Sequence, residues 1–268
     1  MKEPKSEPIK QVSNKDVHSF SEPESAFVTH LDWDADLNFE DKIISATATW
    51  TIKANENAKN IIFDTKDLEL ISVKDQEGNL LKNNVGETKE FLGKSLKVKL
   101  PEKGNKIVIE YKTSPNAAAL QWLTPEQTAD KNHPFLFTQS QAILARTWLP
   151  CQDSPAIRFS YNAKVKTPKG LMAVMSATNP TEVNEDGFYQ FEMKQPIPAY
   201  LMALAVGNFE YAKIGNQTGV YAEPSVIKSA EYEFADMQKM VDAASNLYGA
   251  YDWEQFDVII LPPSFPFG

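Results

Sequence analysis

The sequence has few of the residues that metal, redox and nucleophilic chemistry require. Its 268 residues include one cysteine and three histidines. The lone Cys151 can form no intrachain disulfide, so packing must hold the fold, and the redox compartment stays undetermined. A catalytic zinc site commonly uses two histidines one helical turn apart, but His18, His30 and His133 are too widely separated for that arrangement. We therefore expect this chain itself to bind no metal.

Other features that the sequence lacks exclude further classes of function. There is no glycine-rich phosphate loop, no Gly-x-Ser-x-Gly elbow and no histidine near Cys151 in the sequence, so these kinds of nucleotide site and activated nucleophile are excluded. The 27 basic and 36 acidic residues give a net charge of −9, which opposes binding to nucleic acid or to an anionic membrane. No apolar run approaches the roughly 18 residues of a membrane span. We expect neither a nucleic-acid partner nor a membrane span.

The N-terminus has little apolar surface. Residues 1–25 are rich in Lys, Glu, Ser and Pro, and they predict a disordered leader because burial cannot offset the entropy of ordering them. They contain no apolar signal segment. A trimmed export signal would leave a similar terminus, so the compartment stays open between the cytoplasm, the default, and an exported or periplasmic location.

Alternating apolar and polar residues predict a chain that is mainly β. In residues 44–54, Ile44, Trp50 and Ile52 share one face of a strand whose other face carries serine and threonine. Further strands are predicted at residues 68–73, 96–100, 107–111, 159–166, 171–176, 188–193 and 201–209. Two of these, residues 96–100 and 107–111, flank a short turn region and predict a hairpin.

The pattern changes near residue 226. Apolar residues there recur at helical spacing and predict one amphipathic helix, which Gly249 ends; they are Phe234, Met237, Val241, Ala244 and Tyr248. Residues 256–261 form a continuous apolar run, typical of a strand buried on both faces. Because one helix and one strand cannot form a core, we expect residues 26–225 to be a β-rich domain and residues 226–268 to be the incomplete start of a second domain.

Three segments have an uncommon and specific sequence. They are ALQWLTPEQT at residues 119–128, HPFLFTQSQA at 133–142 and RTWLPCQDSP at 146–155. Together they resemble the N-terminal domain of the gluzincin aminopeptidases, peptidase family M1, and especially the leukotriene A hydrolase branch. The likeness continues at residues 64–68, 175–177, 196–207 and 261–266. It covers nearly everything after residue 25.

The resemblance implies a fold and an enzyme. The fold is a large, twisted, saddle-like antiparallel or mixed β-sheet domain, followed by the α/β start of a thermolysin-like catalytic domain. The parent enzyme is a zinc aminopeptidase that removes N-terminal residues from peptides, with an epoxide hydrolase side activity as a further expectation. Zinc is implied for the parent only, and peptide substrates are partners through the missing catalytic domain. We expect this chain alone to be inactive and its exposed cut surface to favour self-association.

The resemblance also implies substrate-binding residues. Gln141 matches the residue that accepts a hydrogen bond from the substrate's α-ammonium group, and Gln139 and Ala142 match residues lining the pocket for its first side chain. Phe267 and Gly268 match the start of a substrate-binding strand; the branch often has tyrosine at the first position, so the hydroxyl is missing here.

Other interpretations stay open. Alternatively, Gln139 and Gln141 are residues on one face of a strand whose side chains are satisfied by neighbouring groups. Arg146, Asp153 and Pro155 are interpreted as structural, a charged pair and a turn that hold their loop. At the level of the whole chain, the alternative is a stand-alone, non-catalytic β domain that binds peptides or acts as a scaffold.

Overall fold

The computed structural model describes residues 16–265. In this part of the chain, sixteen strands form four sheets, and two short α-helices precede the last strand. The fold is mainly β, as predicted. No helix within residues 16–265 is long and apolar enough to cross a membrane.

The elements follow one another along the chain. The strands are β1 (Ala26–Asn38), β2 (Ile43–Ala54), β3 (Asn60–Thr65), β4 (Glu69–Asp75), β5 (Asn83–Val85), β6 (Lys94–Lys99), β7 (Lys106–Lys112), β8 (Leu120–Leu123), β9 (Phe135–Thr138), β10 (Arg158–Lys166), β11 (Met172–Met175), β12 (Phe188–Pro198), β13 (Leu204–Gly207), β14 (Glu210–Lys213), β15 (Thr218–Ala222) and β16 (Phe256–Ile259). The helices are α1 (Ile227–Glu233) and α2 (Met237–Tyr248).

The largest sheet has six strands in the order β12-β10-β1-β2-β7-β4. It is mixed, since β1 and β10 run parallel and the other neighbours run antiparallel. The predicted alternation in β2 is confirmed: Ile44, Trp50 and Ile52 are buried, and the serine and threonines that alternate with the apolar residues are exposed or half-buried. The edge of Phe159 packs on the ring of Trp50 at 4.9 Å between centroids. The inner face of this sheet therefore forms one side of the main core.

The hairpin predicted for residues 96–100 and 107–111 is wrong. Both strands exist, but β6 pairs with β3 and β5, whereas β7 pairs with β2 and β4 in the large sheet. The turn between them carries the chain from one sheet to the other. Alternation specifies which face of a strand is buried, but it does not specify the partner strand. Leu96 and Ile109 accordingly enter the same core from different sheets.

A four-stranded sheet, ordered β11-β13-β9-β8, holds the central motif segments. Strand β9 lies inside it, paired with β13 on one side and β8 on the other. Its first three residues are buried, and the ring of Phe135 packs edge-on against Phe209 at 5.1 Å. This arrangement ends β9 directly before Gln139.

The last sheet spans the boundary predicted at Val226. Strands β14 and β15 precede that residue, whereas β16 follows it and pairs in parallel with β15. We therefore propose that a distinct unit, here called the C-terminal unit, comprises residues 210–265.

The helix and strand of this region differ in detail from the predictions. Phe234 caps the C-terminus of α1, and the chain turns before α2 begins, so the other four residues of the predicted stripe lie on α2 and Phe234 lies outside that helix. Gly249 ends α2 with a φ of 105°, as its position indicates. Strand β16 is exposed or half-buried within the described structure, so its burial on both faces is not observed there.

The described part of the predicted leader packs on the β domain. Ser19 and Ser21 are each only 5% exposed, and both belong to the stretch expected to be disordered. Hydrogen bonds hold this segment in place, because the hydroxyl of Ser19 and the backbone N–H of Phe20 donate to the buried carboxylate of Asp64. The structure therefore differs from the expectation over residues 16–25, and residues 1–15 lie outside the described residues.

Candidate substrate-recognition loop

The candidate loop, residues 139–142, connects β9 to a 3-10 turn at Ala145–Thr147. Its first residue is held by the sheet, because the N–H of Gln139 donates to the carbonyl of Ala119 at 2.9 Å. The loop is thus an extension of a buried strand, and its position depends on the core beneath it.

Ser140 holds the loop from its buried side. Its side chain is buried, and its Oγ accepts a hydrogen bond from Nε1 of Trp148 at 3.0 Å. Its carbonyl accepts from the N–H of Leu144 at 2.8 Å. Because Ser140 points inward, the residues on either side of it point toward solvent, and Gln139, Gln141 and Ala142 are all exposed.

The two glutamines are not equivalent. Oε1 of Gln139 accepts a hydrogen bond from the backbone N–H of Gln141 at 2.9 Å, so this side chain holds the loop. The side-chain amide of Gln141 makes no hydrogen bond to any residue that the structure describes. The interpretation in which neighbours satisfy both glutamines therefore fits Gln139 and not Gln141. The peptide bond between Gln141 and Ala142 is cis.

The proline-rich end of the described chain approaches this loop. The ring of Phe265 packs edge-on against Phe137, with centroids 5.6 Å apart, and Phe137 lies two residues before Gln139. The structure thus brings the segment after β16 to the strand that carries the loop. Phe267 and Gly268 lie outside the described residues.

A groove of about 830 Å³ opens beside Phe137, between the four-stranded sheet and the C-terminal unit. Aromatic and apolar groups line much of it, together with some carboxylates; the lining includes Phe137, Tyr211, Tyr221, Trp253, Asp257 and Leu261. Burial raises the pKa of Asp257, although its Oδ1 accepts a hydrogen bond from Nε2 of Gln255 at 2.7 Å. Burial, with Asp257 nearby, also raises the pKa of Tyr221, whose hydroxyl donates to the carbonyl of Pro180 at 2.9 Å. The groove offers apolar surface and a few polar groups next to the loop.

A salt bridge lies behind the loop, as the sequence predicted. Nε of Arg146 donates to Oδ2 of Asp153 at 3.0 Å, and both side chains are buried. Burial raises the pKa of Asp153 to about 6, against the opposing effect of the Arg146 charge. Asp64 completes this buried cluster, with Oδ1 3.8 Å from Nη1 of Arg146. Asp64 stands in one of the motif segments, but nothing in the local sequence indicated its partners.

The described residues do not fit a catalytic zinc. Among residues 16–265, no group of three or more His, Cys, Asp or Glu side chains is placed to hold a metal ion. His30 lies beside Ser160 and Asp32 on the open face of the large sheet. Cys151 is fully buried, and burial raises the pKa of its thiol. No chemical step is assigned to a metal held by these residues.

This fold, with its motif-bearing loop at the end of β9, defines a known class of domain. The sequence profile of the peptidase M1 N-terminal domain matches residues 27–201, and the chain belongs to this family. The resemblance inferred from the motif segments is confirmed.

Individual relatives place the chain within the family. It is 38% identical over 266 residues to leukotriene A-4 hydrolase of Xenopus laevis, covering 94% of this chain and 43% of the relative. It is 35% identical over 265 residues to leucine aminopeptidase 2 of Yarrowia lipolytica, covering 97% of this chain and 40% of the relative. The chain thus spans about two fifths of the length of these relatives, which are hydrolases by name.

Comparison with solved structures supports the same fold. Native yeast leukotriene A4 hydrolase matches with a TM-score of 0.89 and 30% identity, over 97% of this chain and 41% of that structure. An M1 zinc metallopeptidase from Deinococcus radiodurans matches with a TM-score of 0.70 over 89% of this chain and 57% of that structure. The latter is 19% identical, so it supports the fold alone. The predicted β-rich fold of the leukotriene A hydrolase type is confirmed.

Proposed function

We propose that this chain is the substrate-recognition and scaffold part of a zinc aminopeptidase that removes N-terminal residues from peptides. The observation that carries the proposal is the side-chain amide of Gln141, which has no hydrogen-bond partner among residues 16–265 and lies on a loop that Ser140 and Gln139 hold in place. Membership of the M1 family supplies the reaction class. In the parent enzyme, bound zinc would supply a Lewis acid and an activated water for amide cleavage.

The chemistry of a peptide N-terminus fits Gln141. An α-ammonium group carries three N–H donors and a positive charge, and Oε1 of glutamine accepts a hydrogen bond without adding a second full charge. A hydrogen bond to a charged group contributes about 1.5–3 kcal/mol. Because Gln141 has no partner among the described residues, it can exchange water for this bond without breaking a hydrogen bond to any of those residues.

The neighbours of Gln141 take supporting roles. Gln139 orients the backbone of Gln141 through its hydrogen bond, and the small side chain of Ala142 leaves room for the first side chain of the substrate. The proposed role of Phe267 and Gly268 in substrate binding rests on the family resemblance, since both lie outside the described residues.

The test uses the full-length polypeptide of which this chain would be a part. Replacing Gln141 with Leu should lower kcat/KM for an aminoacyl anilide by about 10- to 150-fold, the equivalent of one charge-assisted hydrogen bond. Gln190→Leu is the matched control, because Gln190 is also exposed but lies on β12, outside the loop. Equal kinetic constants for the wild type and Gln141→Leu would remove Gln141 from the site.

The same preparation separates the alternatives. A non-catalytic peptide-binding module would bind peptides but hydrolyse none in its full-length form. An epoxide substrate of the leukotriene A type is a second class to assay, because the Xenopus relative bears that name. The 268-residue chain alone should hydrolyse neither substrate, since the described residues supply no metal ligand set.

A further inference from the structure

A buried charged cluster lies directly behind the candidate loop. The guanidinium group of Arg146 has no solvent exposure, and each of its three nitrogens is hydrogen-bonded. Nε donates to Asp153, and Nη1 donates to the carbonyl of Leu92 at 2.9 Å. Oδ2 of Asp64 accepts from the backbone N–H of Asp153 at 2.9 Å, so the Asp64 carboxylate is bonded to the backbone of Asp153 as well. A buried cluster of this kind is stable only while its donors and acceptors remain paired.

The N-terminal segment closes this cluster. Residues 18–21, here called the N-terminal strap, cross it with three hydrogen bonds. Nη2 of Arg146 donates to the carbonyl of His18 at 2.7 Å. The hydroxyl of Ser19 donates to Oδ2 of Asp64 at 2.6 Å, and the N–H of Phe20 donates to Oδ1 at 2.7 Å. The strap therefore pairs the remaining groups of two side chains more than forty residues away in the sequence.

The cluster is connected to the candidate loop through the 3-10 turn. Arg146 is the central residue of that turn, and its flanking residues Leu144 and Trp148 both hydrogen-bond to Ser140. A second connection runs through Thr147, whose Oγ1 accepts from the N–H of Ala119 at 3.2 Å. The carbonyl of Ala119 in turn accepts from Gln139. Both anchors of the loop therefore depend on where the Arg146 turn lies.

We propose that the N-terminal strap positions residues 139–142. It seals the Asp64–Arg146–Asp153 cluster, the sealed cluster holds the 3-10 turn, and the turn holds Ser140 and Gln139. Ser19 and Arg146 are thus positioning residues for the loop and do not contact the substrate. The consequence for substrate binding rests on the proposed function, whereas the effect on loop order does not.

The test compares two shortened forms of this chain. One starts at Asp16 and keeps the strap; the other starts at Glu22 and lacks it. Hydrogen exchange followed by NMR reports on two bonds of the loop, the Leu144 amide and the Trp148 indole N–H. Without the strap, both should exchange about 10-fold faster or more, while the amides of β7 in the large sheet change less than about twofold. The form that starts at Asp16 should match the full chain.

If the form that starts at Glu22 does not fold, two variants of the full chain replace it: Ser19→Ala, and Ser45→Ala as its control. Ser45 is exposed on β2 and its side chain makes no hydrogen bond to a described residue. Ser19→Ala should accelerate exchange at Leu144 and Trp148 selectively, and Ser45→Ala should not. Uniform acceleration across the chain would reduce the strap to a general stabiliser, and unchanged exchange would remove its role; either result overturns the proposal. Neither result depends on whether Gln141 binds an ammonium group.

Discussion

The β domain and the C-terminal unit differ in how completely they bury their apolar residues. The β domain contains most of a continuous core, including the fully buried Trp50 and Trp148. In the C-terminal unit, the separate cluster of buried residues consists of Val220, Ala222, Ile227 and Ala230. Helix α2 leaves Met240, Leu247 and Tyr248 67%, 75% and 88% exposed. The comparison teaches that the β domain buries enough apolar surface to stabilise itself, whereas the C-terminal unit needs further contacts to reach the same stability.

The largest expected difference between the two regions is in hydrogen exchange. Amides of α2 should exchange on the order of 1000-fold faster than those of β2, after correction for intrinsic rates, because few buried contacts oppose local opening of α2. NMR or mass spectrometry on a dilute sample of this chain measures both. A second sample at high concentration tests self-association through the exposed face of α2, which would slow exchange there. Equal protection of α2 and β2 in the dilute sample would contradict the comparison.

Substitution of one aromatic residue in each region should give a smaller difference. Trp50→Ala should lower the free energy of unfolding by about 3–5 kcal/mol, since it removes a fully buried ring that packs on Phe159. Tyr248→Ala should change it by less than about 0.5 kcal/mol, because the ring is exposed. Urea unfolding measures both. Ile52→Val, expected to cost about 1 kcal/mol, replaces Trp50→Ala if that variant does not fold.

The smallest of these effects concerns two carboxyl groups, one in each region. Burial raises the pKa of Asp153 to about 6, above the value of about 3.9 expected in the unfolded chain. The folded state therefore binds a proton more tightly, so this group contributes stability that is present below pH ~4 and lost as the pH rises through 6.

The wild type should accordingly gain on the order of 2 kcal/mol over Asp153→Asn between pH 7 and pH 4. Asp257→Asn is the control from the C-terminal unit, where the carboxyl is only partly buried and the difference should be smaller. Urea unfolding at both pH values measures the difference. A pH-independent difference between the wild type and Asp153→Asn would show that the ionisation of Asp153 is not linked to folding.

Local sequence patterns predicted the individual strands better than they predicted which strands pair with each other. The alternation in β2 predicts a strand with one buried face because side chains in a strand alternate whatever the strand pairs with. The pairing of β6 and β7 is set by distant strands, so the predicted hairpin was wrong. The break between α1 and α2 was also missed, because the apolar spacing continues across it.

The candidate loop was found through its motif, and its internal geometry was not predictable. The sequence places Gln139 and Gln141 on one face, but only the structure distinguishes the glutamine that holds the backbone from the one whose side chain has no hydrogen-bond partner among the described residues. The strap was missed for a different reason. Composition counts apolar residues, whereas Ser19 and Phe20 are held by hydrogen bonds to a carboxylate 44–45 residues away.

The most direct test of the central claim asks whether Gln141 recognises a substrate ammonium group. The full-length enzyme would be assayed with leucyl anilide and with its des-amino analogue, which has the same shape without the ammonium group. Gln141→Leu should lower kcat/KM about 10- to 150-fold for the leucyl substrate and less than about threefold for the analogue, because the analogue cannot form the bond that the substitution removes. An equal loss on both substrates would contradict the claim and show that Gln141 does not recognise the ammonium group.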